Sequence, residues 1–85
     1  MLRTARAEVA EIERRLAMLT PREREVLTHI VSGRLNKQVA ADLGTVEKTI
    51  KVHRARVMEK MQVQSLAELA RLAERVGLKS IPPKS

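Results

Sequence analysis

The sequence predicts an all-α fold, and three observations carry that reading. Cap signals recur along the chain, ahead of apolar residues at helical spacing. Aromatic residues are absent, so any core is built from Leu, Ile, Val, Ala and Met, which suits packed helices. No stretch alternates apolar and polar residues with the period of two that a half-buried strand requires. At 85 residues the expected scale is one small domain with an appendage.

The first helix is expected over Leu2 to Met18. Leu2, Ala5, Val9, Ile12, Leu16 and Leu19 are spaced 3, 4, 3, 4, 3, an a/d heptad seam. Two readings stay open: a helix packed on its own domain, or a coiled-coil-like linker that joins partners. In a parallel homodimer Glu8 faces Glu13 of the other chain, which is repulsive. Glu11 and Arg15, four apart, support the single helix.

The second helix is expected over Pro21 to Ser32. In "LTPRE", Thr20 stands at the N-cap, Pro21 at the first helical position and Glu23 three residues after the cap. That is a capping box with proline in its favoured place. A short third helix begins after Asn36 and stops at Leu43. The fourth covers Glu47 to Gln62. The fifth runs from Leu66 to Val76 behind a second cap pair, Ser65 and Glu68. Gly33, Gly44 and Gly77 each follow a helical run and suit the left-handed position that ends one. The tail "KSIPPKS", with two prolines and no periodicity, is expected to be flexible.

Seventeen Lys/Arg against ten Asp/Glu leave a formal charge of +7, which suits a polyanionic partner, nucleic acid or an anionic membrane face, but on charge alone a generic solvated surface is an equal reading. Single-strand binders stack bases on aromatic rings, so a basic chain without aromatics points to a duplex gripped through phosphates and base edges. There is no cysteine, hence no disulfide and no thiolate site. No segment resembles a signal peptide, and no apolar run approaches the ~20 residues of a membrane span. A cytoplasmic protein with no membrane partner is expected. Residues 1–25 carry six basic and five acidic side chains, a poor match to a cationic membrane-surface helix.

Chemistry of other kinds finds little support. His29 and His53 lie on different helices without neighbouring carboxylate pairs, so no metal site is expected, and His29 is placed at a helix surface. Ser32, Ser65 and Ser80 have no partner base, and Ser65 is explained as a cap. No Gly-rich phosphate loop exists. Neither an enzyme nor a cofactor is expected.

Residues 36–61 form a constellation: the short helix "NKQVAADL", the turn "GTV", then a longer basic helix. A short helix, a tight turn containing glycine and a longer helix is the helix-turn-helix pattern. Ala40, small and mid-helix, lets the two helices approach closely. At 100° per residue, Val46, Ile50, Val57 and Met61 fall within about 60° of one another and form the expected core face. Val46 then begins that face, and Thr45 is the candidate cap.

The opposite face carries Lys48, Lys51, Val52, Ala55 and Glu59. A solvated face is polar throughout, yet Val52 and Ala55 stand there between lysines. Lysine donates to guanine or phosphate, and small aliphatic groups touch thymine methyls. Thr49 and Arg56 flank one edge, Arg54 the other, and Lys60 lies near the end; these are placed for phosphates on the groove walls. Lys37, with Gln38, is placed for a phosphate at the start of the third helix.

With these residues in view, "LTPREREVLTHIVSGRLNKQVAADLGTVEKTIKVHRARVMEKMQV" closely resembles the DNA-binding domain of the LuxR/FixJ/NarL family of bacterial transcription regulators. The resemblance spans Leu19 to Leu78 and rests on "LTPRERE", "NK-x-VA" and "EKTIKVHR". The ending "MEKMQVQSLAELARLAERVGL" looks most like the FixJ branch of response regulators. It implies a four-helix LuxR-type domain over 19–78, preceded by a linker helix over 1–18 and followed by a tail over 79–85. It also implies a cytoplasmic transcription regulator, the output domain of a two-component response regulator, binding double-stranded DNA in the major groove. By position, Lys51, Val52 and Ala55 match base-contact places; Lys48, Thr49, His53, Arg54 and Lys60 match places near the backbone. The last helix commonly forms the dimer contact in this family, here through Leu66, Leu69, Leu72, Ala73 and Val76, so a homodimer on DNA and an upstream receiver domain are implied.

Two departures are visible. Many members have serine where Val46 stands, and some have a long basic side chain where Ala55 stands, so base preference does not carry over at that step. A free-standing LuxR-type regulator, and a helical dimerisation module without DNA binding, remain the alternatives.

Overall fold

The computed structural model describes residues 2–78, with side chains from residue 4 onward; the tail expected over 79–85 lies outside the described residues. Five helices follow in order: α1 Leu2–Ala17, α2 Pro21–Val31, α3 Asn36–Leu43, α4 Glu47–Lys60 and α5 Leu66–Arg75. Each lies within two residues of the span read from the sequence. α2 is the hub, packed against α3, α4 and α5, and α3 packs on α4.

Caps set the starts of α2 and α5. The Thr20 hydroxyl accepts from the Glu23 N–H at 3.1 Å, and the Thr20 N–H donates back to Glu23 Oε1 at 2.9 Å. Ser65 accepts from the Glu68 N–H at 3.1 Å. α3 ends at Gly44, φ +68°, where Thr45 N–H reaches back to Ala40 O at 2.9 Å. A left-handed residue there turns the chain sharply enough to start α4 after only two more residues.

One core joins all five helices. Val26, Leu27 and Ile30 of α2 meet Val39 and Ala40 of α3, Ile50 and Val57 of α4, and Leu69 and Leu72 of α5. Met61 and Val63, just beyond α4, belong to the same cluster. Burying each large aliphatic side chain stabilises the fold by roughly 1.5–3 kcal/mol.

α1 is part of this core rather than apart from it. Ile12 and Leu16 are buried in the cluster, whereas Ala5 is exposed and Val9 half-buried. Polar bonds secure the same helix. Glu8 receives Arg71 Nη1 at 3.3 Å and Arg75 Nη2 at 2.8 Å, tying α1 to α5. Arg15 donates to Glu11 at 3.1 Å and to the Met61 carbonyl at 3.0 Å, satisfying an oxygen at the end of α4. Ile12, Leu16 and these bonds hold α1 against its own domain.

Candidate nucleic-acid interface

The face begins with how α3 and α4 are held. Ala40 is 5% exposed, and a larger side chain would push the helices apart. Arg54 Nη1 donates to Asn36 Oδ1 at 3.2 Å, so the first residue of α3 is bonded to the middle of α4. The Leu35 N–H donates to Gln38 Oε1 at 2.9 Å, which closes one half of a cap on α3 and engages Gln38 inside the protein.

Val46 is not in the core. It is the N-cap of α4, extended at φ −105° and ψ 155°, makes no side-chain cap bond and is 63% exposed. Helical phase placed it inward, but phase applies only to residues with helical dihedrals, and a cap residue points elsewhere. Thr45 is not the cap either, because the N-cap position belongs to Val46. Glu47 in the first turn favours the helix N-terminus electrostatically and offsets part of the missing cap.

Beyond the cap, α4 divides cleanly. Ile50 and Val57 are fully buried, with Met61 beneath them. Lys48, Lys51, Val52, Ala55, Arg56 and Glu59 are exposed, and Thr49 is half-buried. Val52 is 45% exposed, a large apolar group on an otherwise charged face. Among the described residues, Lys37, Lys48, Lys51 and Arg56 form no ion pair and no side-chain hydrogen bond.

Three candidates lie at the edge of that face or off it. Lys60 Nζ meets Glu23 Oε1 at 2.6 Å, and the Glu23 side chain is 2% exposed. The ammonium is held inward by a buried carboxylate instead of standing at a groove wall. That bond, reinforced by the Thr20 N–H, holds the Glu23 carboxyl below the usual carboxylate range. Arg54 is half-buried on Asn36, and His53 is half-buried with Nδ1 enclosed and unbonded. Phase contained a signal here: Lys60, His53 and Arg54 lie about 80°, 60° and 40° from Ile50, on the flanks of the core face.

The dimer arc also divides. Leu69, Leu72 and Ala73 are buried within the domain, at 0%, 6% and 5% exposure. Leu66 is 38% exposed, and Val76 is partly buried against the core. Three of the five residues are therefore engaged inside the protomer.

Several charged residues found partners that the sequence reading missed. His29 is buried, not at a surface, and its Nδ1 lies 3.8 Å from Asp42 Oδ2, the oxygen that also pairs with Arg34. Arg71 and Arg75 clamp Glu8. No local motif marks such pairs, because the partners come from different helices. Among the described residues, no group of three or more His, Asp or Glu is placed to share a metal ion, and no helix is long and apolar enough to cross a membrane.

The family model described as "Bacterial regulatory proteins, luxR family" matches residues 17–73, from the end of α1 to the last turn of α5. The chain belongs to the luxR family of bacterial regulatory proteins. This luxR-family chain is 43% identical over 76 residues to Nodulation protein W of Bradyrhizobium diazoefficiens, covering 89% of this chain and 34% of that protein. To the transcriptional regulatory protein FixJ of the same organism it is 46% identical over 72 residues, covering 85% of this chain and 35% of that one. Full-length FixJ from B. japonicum superposes with a TM-score of 0.83 at 42% identity, over 93% of this chain and 39% of the other. The response regulator StyR superposes at 0.81 with 44% identity, over 86% and 37% of the two chains. The chain thus spans about a third of the length of the relatives it matches.

Proposed function

We propose that this chain is the DNA-binding output domain of a two-component response regulator, and that α4 lies in the major groove of a specific duplex. The distribution of unpaired charge carries this reading. Arg14, Arg15, Arg22, Arg34, Lys60, Arg71 and Arg75 each meet a carboxylate of the same chain. Lys37, Lys48, Lys51 and Arg56 do not, and all four belong to the helix-turn-helix unit. Among the described residues, Arg6 and Arg24 also lack an ion pair and lie outside that unit. Cations without partners gathered on one helix-turn-helix unit are what a polyphosphate requires, and the apolar Val52 and Ala55 on the outer side of α4 suit base edges rather than phosphate alone.

In this reading Lys51, Val52 and Ala55 meet base edges. Lys37, Lys48, Thr49 and Arg56 approach the backbone. Arg54 locks α3 to α4 and has further N–H groups for a phosphate beside Asn36. Lys60 leaves the contact set. A receiver domain lies upstream in the full-length protein, and two copies pair on adjacent half-sites through the surface around Leu66.

Selection of bound duplexes from a random pool, followed by salt titration of the winners, tests the proposal. The log of affinity is expected to fall linearly with log salt, with a slope of about −3 to −4 per protomer for four phosphates. Paired half-sites are expected in the winners. Concentration-dependent self-association with no duplex affinity would support the alternative, a dimerisation module.

A further inference from the structure

The helix starts of this chain are of two kinds. Thr20 and Ser65, which begin α2 and α5, are polar caps, and each accepts a hydrogen bond from the backbone three residues on. Leu35 and Val46, which begin α3 and α4, are aliphatic, make no side-chain cap bond and are 67% and 63% exposed. All four have the same extended backbone, so a serine fits at any of them without rearrangement. Both aliphatic starts belong to the helix-turn-helix unit, and both polar ones lie outside it. At positions 35 and 46 the fold forgoes a side-chain cap bond and also leaves most of an aliphatic side chain in water.

We infer that Val46 is a specificity residue whose isopropyl group packs on the C5-methyl group of a thymine in the major groove. The inference rests on the DNA-binding reading above. Val46 immediately precedes the helix that carries Lys48, Lys51 and Val52 on its outer face, and like Val52 it is a large apolar group left in water. The two are six residues apart, and six residues of helix rise about 9 Å. Successive bases on a strand are about 3.4 Å apart, so Val46 meets a different base from Val52. Major-groove thymine presents one apolar group, its methyl, and that is the feature an aliphatic side chain distinguishes. Leu35 lies at the start of α3, which carries no base-contact residue, and serves as the comparison.

The test uses the whole chain and a duplex selected from a random pool. Each thymine is replaced in turn by deoxyuridine, which removes only the C5-methyl group. Affinities are measured for the unaltered chain, Val46→Ser and Leu35→Ser. At one thymine the unaltered chain is expected to lose about three- to fivefold on methyl removal. Val46→Ser is expected to bind the thymine and deoxyuridine forms equally there, and to bind the thymine form more weakly by the same factor. Leu35→Ser keeps the methyl dependence. Both serine variants restore a polar cap, so their melting temperatures should equal or exceed that of the unaltered chain, which separates lost contact from lost fold. Undiminished binding by Val46→Ser, or an equal loss for both forms at every thymine, overturns the inference while leaving DNA binding intact. Failure of the unaltered chain to select any duplex overturns the functional reading, and this inference with it.

Discussion

A carboxylate that is 1% exposed is destabilising unless its charge is met, and Glu23 meets two donors at one oxygen: the Thr20 N–H and the Lys60 ammonium. Both favour the ionised form, so the folded pKa lies below the unfolded one. A lowered carboxyl pKa contributes stability that is present above the unfolded value, about 4.3, and is lost as pH falls through the folded value. Glu23→Gln keeps an oxygen for Thr20 but leaves Lys60 without its counter-ion. At pH 7 the variant should be less stable by about 1–3 kcal/mol, and its stability should fall less steeply below pH 4.3. Thermal melts from pH 7 to pH 3 measure both; parallel acid limbs would show that Glu23 does not control that region. Gln62 makes a second case. It follows α4 with φ +57°, the one non-glycine among the described residues in the left-handed region. A side chain there is sterically disfavoured, so Gln62→Gly should stabilise the fold by about 0.5–1 kcal/mol despite glycine's entropy cost. Chemical denaturation of the pair decides it, and an unchanged or lower midpoint would mean that the strain is relieved by contacts of the glutamine side chain.

On the scale of the helix, two lysines nine residues apart on α4 have opposite assignments. Lys51 is exposed and unpaired, whereas Lys60 is held by Glu23. Lys51→Ala should cost roughly 1–3 kcal/mol against the preferred duplex and relax preference at one base step, with melting unchanged. Lys60→Ala should instead lower the melting temperature and leave the salt slope of DNA binding as it was. A reduced slope for Lys60→Ala would return that residue to the phosphate contacts. The contrast also shows how much of α4 is legible in a sequence. Helix limits, the glycine stops and the Thr20 box depend on neighbours within four residues, so local chemistry reveals them. The outer face of α4 follows from phase alone. Val46 was misplaced because phase was extended past the last helical residue. Lys60 and His29 were misplaced, and the clamp of Arg71 and Arg75 on Glu8 was invisible, because the partners Glu23, Asp42 and Glu8 are brought close only by tertiary packing, which no window of sequence contains.

At the scale of the whole molecule, a chain this short has one core and cannot spare its large side chains for two purposes. Leu72 illustrates the conflict, since it lies on the helix expected to pair protomers but is 6% exposed within this protomer. Leu72→Asp places an unpaired carboxylate in the core, a cost of at least about 3 kcal/mol, against the 5 kcal/mol or so of total stability common for small domains. It should unfold the chain before it reports on pairing. Leu66 offers the cleaner probe. It is the first residue of α5, 38% exposed, and an aspartate there sits favourably at the helix N-terminus. Leu66→Asp should therefore melt as the unaltered chain does, bind a single half-site with the same affinity, and lose the cooperative advantage on a duplex with two half-sites. Sedimentation in the presence of each duplex separates these outcomes. Retained cooperativity would mean that the protomers meet elsewhere, and that the exposed leucine at the start of α5 serves the monomer alone.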